Sequence, residues 1–400
     1  MTNLRMGPDL ESIGQRRWLM LGLGLAGQTA ACSFLYGLPF LLPDIRAAEH
    51  LSLAQGGALI AAPTIGLVAC LIAWGAAADR WGERLVMSVG IGLCGLILLA
   101  SQLGHGVWYL GAVFALAGAA GASVNAASGR VVMGWFPPER RGLAMGARQM
   151  AQPLGLVVAA LALPPLSAHW GFRAALLFPA MLCIAVAVLV GLFVLDPPRK
   201  KRAPGQKDRS PYRSSALWRV HGASALLVVP QFATSAFALE FLVTERGWSS
   251  APAGRALAVV QLLGAFGRLA VGVWSDRAGS RLRPMRQIAV ASAAAMILLA
   301  IGTGLHSVLA LVALVAASVI SVTDNGLGFT ATAEIAGQAW SGRALGAQNT
   351  SQNLVAFATP PLLGAVIGGP GYAIAFALAA VFPAIGVFTV PVRSEPARDR

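Results

Sequence analysis

The sequence is poor in charged residues. Only 12% of its 400 residues are Asp, Glu, Lys or Arg, while 56% are hydrophobic, and a soluble globular domain carries about 25% charged residues. This composition excludes an ordinary soluble domain and indicates a membrane protein. Runs such as residues 174–195 are apolar without alternation, which excludes a membrane-spanning β-barrel.

Cysteine is scarce, and sequence motifs for catalysis are missing. The four cysteines, Cys32, Cys70, Cys94 and Cys183, all fall in apolar runs, so we expect them to fill space rather than form disulfides or bind a metal. The phosphate-binding pattern G-x-x-x-x-G-K-[ST] does not occur, which argues against ATP-driven transport by this chain. No nucleophile stands beside a base, so we expect no enzymatic activity, no cofactor and no metal.

Basic residues outnumber acidic ones, 30 to 16, giving a net charge of +14. They are not interleaved with aromatic side chains in a soluble segment, so we expect no nucleic-acid partner. Most of them occupy the termini and alternate loops, which predicts that both termini and the central loop are cytoplasmic. Residues 1–17 hold acids and no apolar run, so the first span is expected to direct insertion into the cell inner membrane.

The apolar runs predict twelve membrane helices, because a hydrocarbon core of about 30 Å needs about 20 apolar residues per helix. The fold class is therefore an all-α membrane protein with twelve transmembrane helices. The predicted spans are 18–42, 54–78, 85–103, 108–133, 143–165, 172–195, 218–243, 252–275, 285–305, 307–334, 343–368 and 371–391.

The two halves of the chain repeat each other. The stretch from Gly75 to Arg84 recurs from Gly272 to Arg281, 197 positions later, and residues 142–152 resemble residues 342–352. A repeat in the same orientation predicts two six-helix bundles related by an axis along the membrane normal. We expect an N-terminal bundle over 1–195, a C-terminal bundle over 218–400, and a cytoplasmic linker over 196–217 that lies near anionic headgroups.

The repeated stretch resembles the G-x-x-x-D-R-x-G-r-r signature of the major facilitator superfamily, which lies between helices 2 and 3 and helices 8 and 9. The resemblance covers essentially the full chain and implies a secondary transporter working by alternating access. It also implies that the two stretches form a gate between the halves, with each acid facing a helix N-terminus. Glu83 departs from the signature, where the family usually has a base. The gate candidates are Gly75, Asp79, Arg80, Gly82, Arg84, Gly272, Asp276, Arg277, Gly279 and Arg281.

Arg268 is the first candidate for substrate binding. It lies eight residues before Asp276, about 12 Å along a helix, and so near the middle of the bilayer. This spacing resembles the eighth helix of oxalate and monocarboxylate transporters, which implies that Arg268 binds a substrate carboxylate. A structural pairing of Arg268 with a neighbouring helix is the alternative.

Further binding candidates come from the fifth helix and its repeat. Arg148 with Gln152, and Gln348 with Gln352, are four residues apart, so each pair shares a helix face and can line a cavity. Asn125, in the fourth helix, is also assigned to this cavity. The alternative for Arg148 is that it reaches the lipid headgroups.

Three acids are candidates for proton coupling. Asp324 lies deep in the tenth span, where a low-dielectric environment lets a carboxyl group take up a proton. A fixed ion pair with Arg148 or Arg268 is the alternative. Glu240 and Glu334 fall near helix ends and are weaker candidates.

Three arginines inside spans, Arg130, Arg148 and Arg268, stand against one deep acid, Asp324, which predicts an anionic substrate. The alternative for Arg130 is that it reaches the cytoplasmic interface from the end of the fourth helix. We therefore expect symport of a small organic anion, monocarboxylate-like, with protons by a monomer in the lipid bilayer. The alternative is a drug/proton antiporter, although the first span lacks an acid before Asp44. A receptor on a transporter scaffold is less favoured, because the linker is too short for a signalling domain.

Overall fold

The computed structural model describes residues 10–197 and 210–395, and this part of the chain folds into α-helices with short connections. The helices are α1 Leu10–Leu35, α2 Leu38–Glu49, α3 Leu53–Trp81, α4 Glu83–Leu99, α5 Gly106–Trp135, α6 Arg141–Arg148, α7 Ala151–Phe193, α8 Ser215–Thr244, α9 Ser250–Arg277, α10 Leu282–Gly304, α11 Leu309–Ile320, α12 Asn325–Ala336, α13 Ser341–Gly368 and α14 Tyr372–Thr389.

Ten stretches of the described chain are long and apolar enough to cross a membrane. One of them, Pro138–Phe193, holds two passes, because α7 reverses direction at Gly171. The φ of Gly171 is 80°, a backbone conformation that glycine adopts without steric cost. The helix α13 spans 28 residues and carries the polar side chains described below. With α13, the described residues make the twelve passes of the predicted all-α membrane fold.

Three of the predicted continuous spans are interrupted. The first is divided between α1 and α2 at Tyr36 and Gly37, where Pro39 follows. The fifth is divided between α6 and α7 just before Pro153, and the tenth is divided between α11 and α12 over residues 321–324. A proline offers no N–H to the carbonyl four residues before it, so the first and fifth breaks have a clear chemical cause.

Buried hydrophobic side chains pack mainly within each half of the sequence. One cluster draws its buried members from residues 20–194, and two others draw theirs from residues 220–390. A smaller cluster joins the halves through Leu21, Met145, Phe329 and Leu345. Most of the predicted linker lies outside the described residues, and α8 begins at Ser215, slightly earlier than expected.

Candidate functional site

The two repeated stretches lie at the same end of the bundle, called here the signature-loop end. Asp79, near the end of α3, accepts hydrogen bonds from the backbone N–H groups of Gly342 (2.8 Å) and Arg343 (3.0 Å). These groups belong to the first turn of α13, so the carboxylate satisfies N–H groups that have no partner within their helix. The macrodipole of α13 adds to this attraction.

The second repeat makes the equivalent contact in the opposite direction. Asp276, near the end of α9, accepts from the backbone N–H groups of Gly142 and Leu143, both at 2.9 Å, in the first turn of α6. Each half thus supplies a carboxylate to a helix of the other half. The two halves are joined at this end by a reciprocal pair of contacts.

Glycines let the backbones come together beside these carboxylates. A Cβ atom added to Gly75 would overlap the carbonyl of Gly342, and one added to Gly342 would overlap the carbonyl of Gly75. Gly142 and Gly272 are related in the same reciprocal way. The helices therefore meet backbone to backbone on both sides of the interface.

The ion pairs of the two repeats differ. In the first, Arg130 of α5 pairs with Asp79 and, at 2.6 Å, with Glu83, and it also donates to Ser341 Oγ of the other half at 3.0 Å. Glu83, the departure from the family signature, thus has an arginine partner. Arg130 is held at the signature-loop end, which matches its alternative assignment to the end of its helix, and it does not line the cavity.

In the second repeat the cation comes from the loop itself. Arg281 is fully buried and pairs with Asp276 (2.6 Å) and Glu334 (3.5 Å), and it donates to the carbonyl of Pro138 (2.6 Å) across the interface. Glu334 also approaches Arg141 at 3.7 Å. Glu334 therefore belongs to the signature-loop end rather than to the cavity.

The remaining signature residues are Arg80, Gly82, Arg84, Arg277 and Gly279. Arg84 donates to the carbonyl of Gly191 at 2.7 Å, and Arg80 stacks over Trp81. Gly82 has a φ of 97° and faces the carboxylate of Asp196. Arg277 and Gly279 are exposed, and Gly279 has a φ of 61°.

A cavity with about 590 Å³ of empty space, partly open to solvent, lies between the halves. Its lining contains nine amide side chains from the described part of the chain, together with Tyr36, Phe232 and Phe329 and a few aliphatic residues. The amides are Gln28, Asn125, Gln149, Gln152, Gln231, Asn325, Asn349, Gln352 and Asn353. The predicted residues Asn125, Gln152 and Gln352 are among them.

Six of the nine lining amides, all except Asn125, Gln152 and Gln352, were not among the binding residues predicted from the sequence. A search for amides inside predicted spans could have found them.

Arg148 lies next to this cavity and is 1% exposed. It donates to Ser128 Oγ (2.7 Å), to the carbonyl of Asn125 (2.5 Å) and to Gln149 Oε1 (2.8 Å), and its guanidinium lies over Phe329. All of these acceptors are neutral. The side chain does not reach the headgroups, because its hydrogen bonds hold it inside the first half.

Arg268 bridges two of the helix breaks. Its Nη1 donates to the carbonyl of Gln149 at 2.6 Å, and its Nε donates to the carbonyl of Val322 at 3.1 Å. The Gln149 carbonyl is available because Pro153 has no N–H to offer it, and the Val322 carbonyl lies in the gap between α11 and α12. Arg268 therefore connects the halves in the middle of the protein.

Asp324 lies in the gap before α12 and is 1% exposed. Within the described residues its Oδ2 accepts no hydrogen bond, and Arg268 is close enough to act on it electrostatically. No carboxylate of the described chain lies within 4.0 Å of the guanidinium of Arg148 or Arg268. In the part of the chain that the structure describes, Asp324 is thus the one acid near these two buried arginines.

Two predicted residues lie away from the cavity. Gln348 is fully buried on another face of α13, where its Oε1 contacts His221 and Thr332. The cavity stripe of α13 runs through Asn349, Gln352 and Asn353, so of the predicted pair Gln352 lines the cavity and Gln348 does not. Glu240 is exposed on α8 and does not line the cavity.

A multi-pass helical bundle enclosing a polar cavity defines the class of membrane transporters. The family model of the Major Facilitator Superfamily matches residues 24–360. An uncharacterized MFS-type transporter of Mycobacterium tuberculosis is 47% identical over 394 residues, which are 98% of this chain and 88% of that protein. The chain therefore belongs to the Major Facilitator Superfamily and is a secondary transporter rather than an enzyme.

Two further comparisons show the breadth of the similarity. The hexuronate transporter of Bacillus subtilis is 26% identical over 250 residues, covering 60% of this chain and 58% of that protein. A solved structure of the transporter FucP in the outward conformation has a TM-score of 0.74 at 16% identity and covers 95% of this chain and 99% of that one. The latter similarity shows the shared fold.

Proposed function

We propose that this transporter moves a small organic anion, of the monocarboxylate type, together with protons by alternating access. The observation that carries this proposal is the pair of buried arginines beside the cavity, Arg148 and Arg268. Among the described residues, their acceptors are neutral and Asp324 is the one acid close to them. A buried cation without a carboxylate partner is costly. An anionic substrate would offset that cost on binding.

Arg268 has the capacity to bind such an anion. A guanidinium carries five N–H donors, and two of those on Arg268 are used by backbone carbonyls. The planar fork suits a carboxylate, which it can bind through two parallel hydrogen bonds. A carboxylate would also be a stronger acceptor than the carbonyl of Gln149, so substrate binding would weaken the bridge between the halves.

The contacts at the signature-loop end support an alternating-access cycle. We assign this end to the cytoplasm from the distribution of basic residues, which makes the described conformer closed to the cytoplasm. Residues 1–195 and 218–400 would then move as two bodies linked by residues 196–217. Opening toward the cytoplasm requires the helix contacts of Asp79 and Asp276 to break.

Asp324 is the proposed proton site. It is buried near Arg268, so a proton on Asp324 and an anion at Arg268 would together keep the net charge of the core constant. Glu334 is engaged at the signature-loop end, and Glu240 lies on an exposed helix face. The name of the hexuronate transporter, similar to this chain over part of its length, also favours an organic anion.

Proton movement into or out of liposomes that contain a pH-sensitive dye tests the proposal. Purified protein is reconstituted, and small carboxylates, inorganic anions and lipophilic cations are added one at a time. Proton entry that depends on one class of carboxylate is the expected result. Proton exit driven only by lipophilic cations would contradict it and establish the drug/proton antiporter instead.

The Arg268→Ala variant tests the assigned residue. We expect it to lose anion binding while keeping its fold, because it removes the guanidinium that contacts Gln149, a residue of the cavity lining. Arg255→Ala is the matched control, since Arg255 is an exposed arginine on the same helix. Calorimetric titration of both variants with the transported anion gives the comparison, and retained affinity in Arg268→Ala would remove Arg268 from the binding site.

A further inference from the structure

We infer that the substrate is a polyhydroxylated carboxylate of the sugar-acid class, with its carboxylate beside Gln149 and its hydroxyl groups on the surrounding amides. This inference rests on the proposed function, organic-anion transport, and specifies the substrate class of the same cavity. It is carried by the arrangement of amides and charges around that cavity.

Eight of the nine lining amides form pairs at equivalent positions of the two halves. One member of each pair lies about 200 residues after the other and on the corresponding helix. The pairs are Gln28 with Gln231, Asn125 with Asn325, Gln149 with Asn349, and Gln152 with Gln352. The cavity is thus surrounded by amides on both sides.

The equivalent Gln and Asn are hydrogen-bonded in each half, with the donor and acceptor roles exchanged. Gln28 Nε2 donates to Asn125 Oδ1 at 3.1 Å in the first half, and Asn325 Nδ2 donates to Gln231 Oε1 at 3.0 Å in the second. Gln352 Nε2 donates to Asn325 Oδ1 at 3.2 Å. These bonds orient the amides and leave donor and acceptor capacity on each of them, because an amide has two N–H donors and an oxygen with two lone pairs.

Such a lining matches a substrate with several hydroxyl groups. A hydroxyl both donates and accepts, so it can bind either end of an amide. An alkyl chain in the same place would displace water from the amides without replacing its hydrogen bonds, and a site built for hydroxyl groups rejects such an analogue strongly. The lining therefore disfavours an unsubstituted fatty acid and a lipophilic drug.

The charged residues break the symmetry that the amides follow. Arg148 corresponds to Gln348, Arg268 to Leu71 and Asp324 to Val124 in the repeat. Both arginines converge on Gln149, one on its side-chain oxygen and one on its carbonyl. The positive charge is thus gathered at one side of the cavity, which suits a substrate with a single anionic end.

Binding of matched six-carbon ligands to purified protein in nanodiscs tests this inference. Hexonates and hexuronates, including gluconate, carry both the carboxylate and the hydroxyls, hexanoate carries only the carboxylate, and sorbitol carries only hydroxyls. We expect at least one sugar acid to bind about ten-fold or more tightly than either hexanoate or sorbitol.

The two possible failures are distinguishable. Hexanoate binding as tightly as every sugar acid would overturn the hydroxyl assignment and leave anion transport standing. Sorbitol binding as tightly as the sugar acids, or binding by none of the carboxylates, would overturn anion transport and this inference with it.

Amide variants provide the second measurement. Gln152→Met and Gln352→Met keep side-chain length but remove the amide, and we expect each to weaken sugar-acid binding about two- to ten-fold, the range of one hydrogen bond. Hexanoate binding should not change. The control is Gln102→Met, an amide in a distant loop that donates to the carbonyl of Arg173, and an equal loss in this control would contradict the assignment.

Discussion

Replacing Asp276 by Asn is predicted to shift the transporter toward the conformer that is open at the signature-loop end. The carboxylate accepts two backbone hydrogen bonds of 2.9 Å from α6. Each bond to a charged group contributes about 1.5–3 kcal/mol, and Asn retains one acceptor oxygen without the charge. The loss is about 2–3 kcal/mol, which changes the equilibrium between conformers about 30- to 150-fold.

Distances between two spin labels measure this shift. Trp81 and Ala278, exposed at the ends of α3 and α9, can be changed to labelled cysteines after the four native cysteines are replaced. In the parent protein a short distance should dominate. In the Asp276→Asn variant we expect a longer distance to gain population, because the two halves separate at this end.

Asp196→Asn is the matched control. Asp196 also accepts two backbone hydrogen bonds at a helix N-terminus, from Glu83 (2.7 Å) and Arg84 (2.8 Å), but within one half of the chain. It should lower thermal stability and leave the distances unchanged. An unchanged distribution in Asp276→Asn, or an equal shift in Asp196→Asn, would refute the assignment of Asp276 to the gate.

Two glycine substitutions give further predictions. Gly75→Ala should produce the same lengthening of the spin-label distance, because its Cβ would overlap the Gly342 carbonyl. In the control, Gly57→Ala on the same helix, the added Cβ meets no atom within 4 Å, so we expect no change in distance. Equal distances in the two variants would count against close backbone packing. Gly82→Ala should lower the melting temperature more than Gly106→Ala, since both glycines have positive φ but only Gly82 also faces the carboxylate of Asp196. Thermal unfolding in detergent measures this difference, and equal melting temperatures would show that the Asp196 contact contributes nothing.

The internal repeat made much of the architecture predictable. Hydrophobic run lengths predicted twelve passes, and the recurrence of the stretch from Gly75 to Arg84 identified the family. The spacing between Arg268 and Asp276 also predicted how far along the helix Arg268 lies from the signature stretch, since distance along a helix follows directly from residue count.

The direction of a side chain was harder to predict than its position along a helix. One residue corresponds to a rotation of 100° about a helix axis. Because the span boundaries are uncertain by a few residues, they do not show whether Gln348 or Asn349 faces the cavity. The breaks were missed because an apolar run gives no sign of an interruption, although Pro39 and Pro153 mark two of them. The sequence left two assignments open for Arg130, because its partners, Asp79 and Glu83, are distant in sequence.

The backbone contact between Gly75 and Gly342 bears on how opening proceeds. Long, flexible side chains could stretch and maintain a partial seal as the halves part, but peptide groups in direct contact cannot. Van der Waals attraction and short hydrogen bonds both weaken within about 1 Å of separation. Closure at this end should therefore behave as a two-state transition in which the opening between the halves is either closed or fully open, and few molecules have an opening of intermediate width.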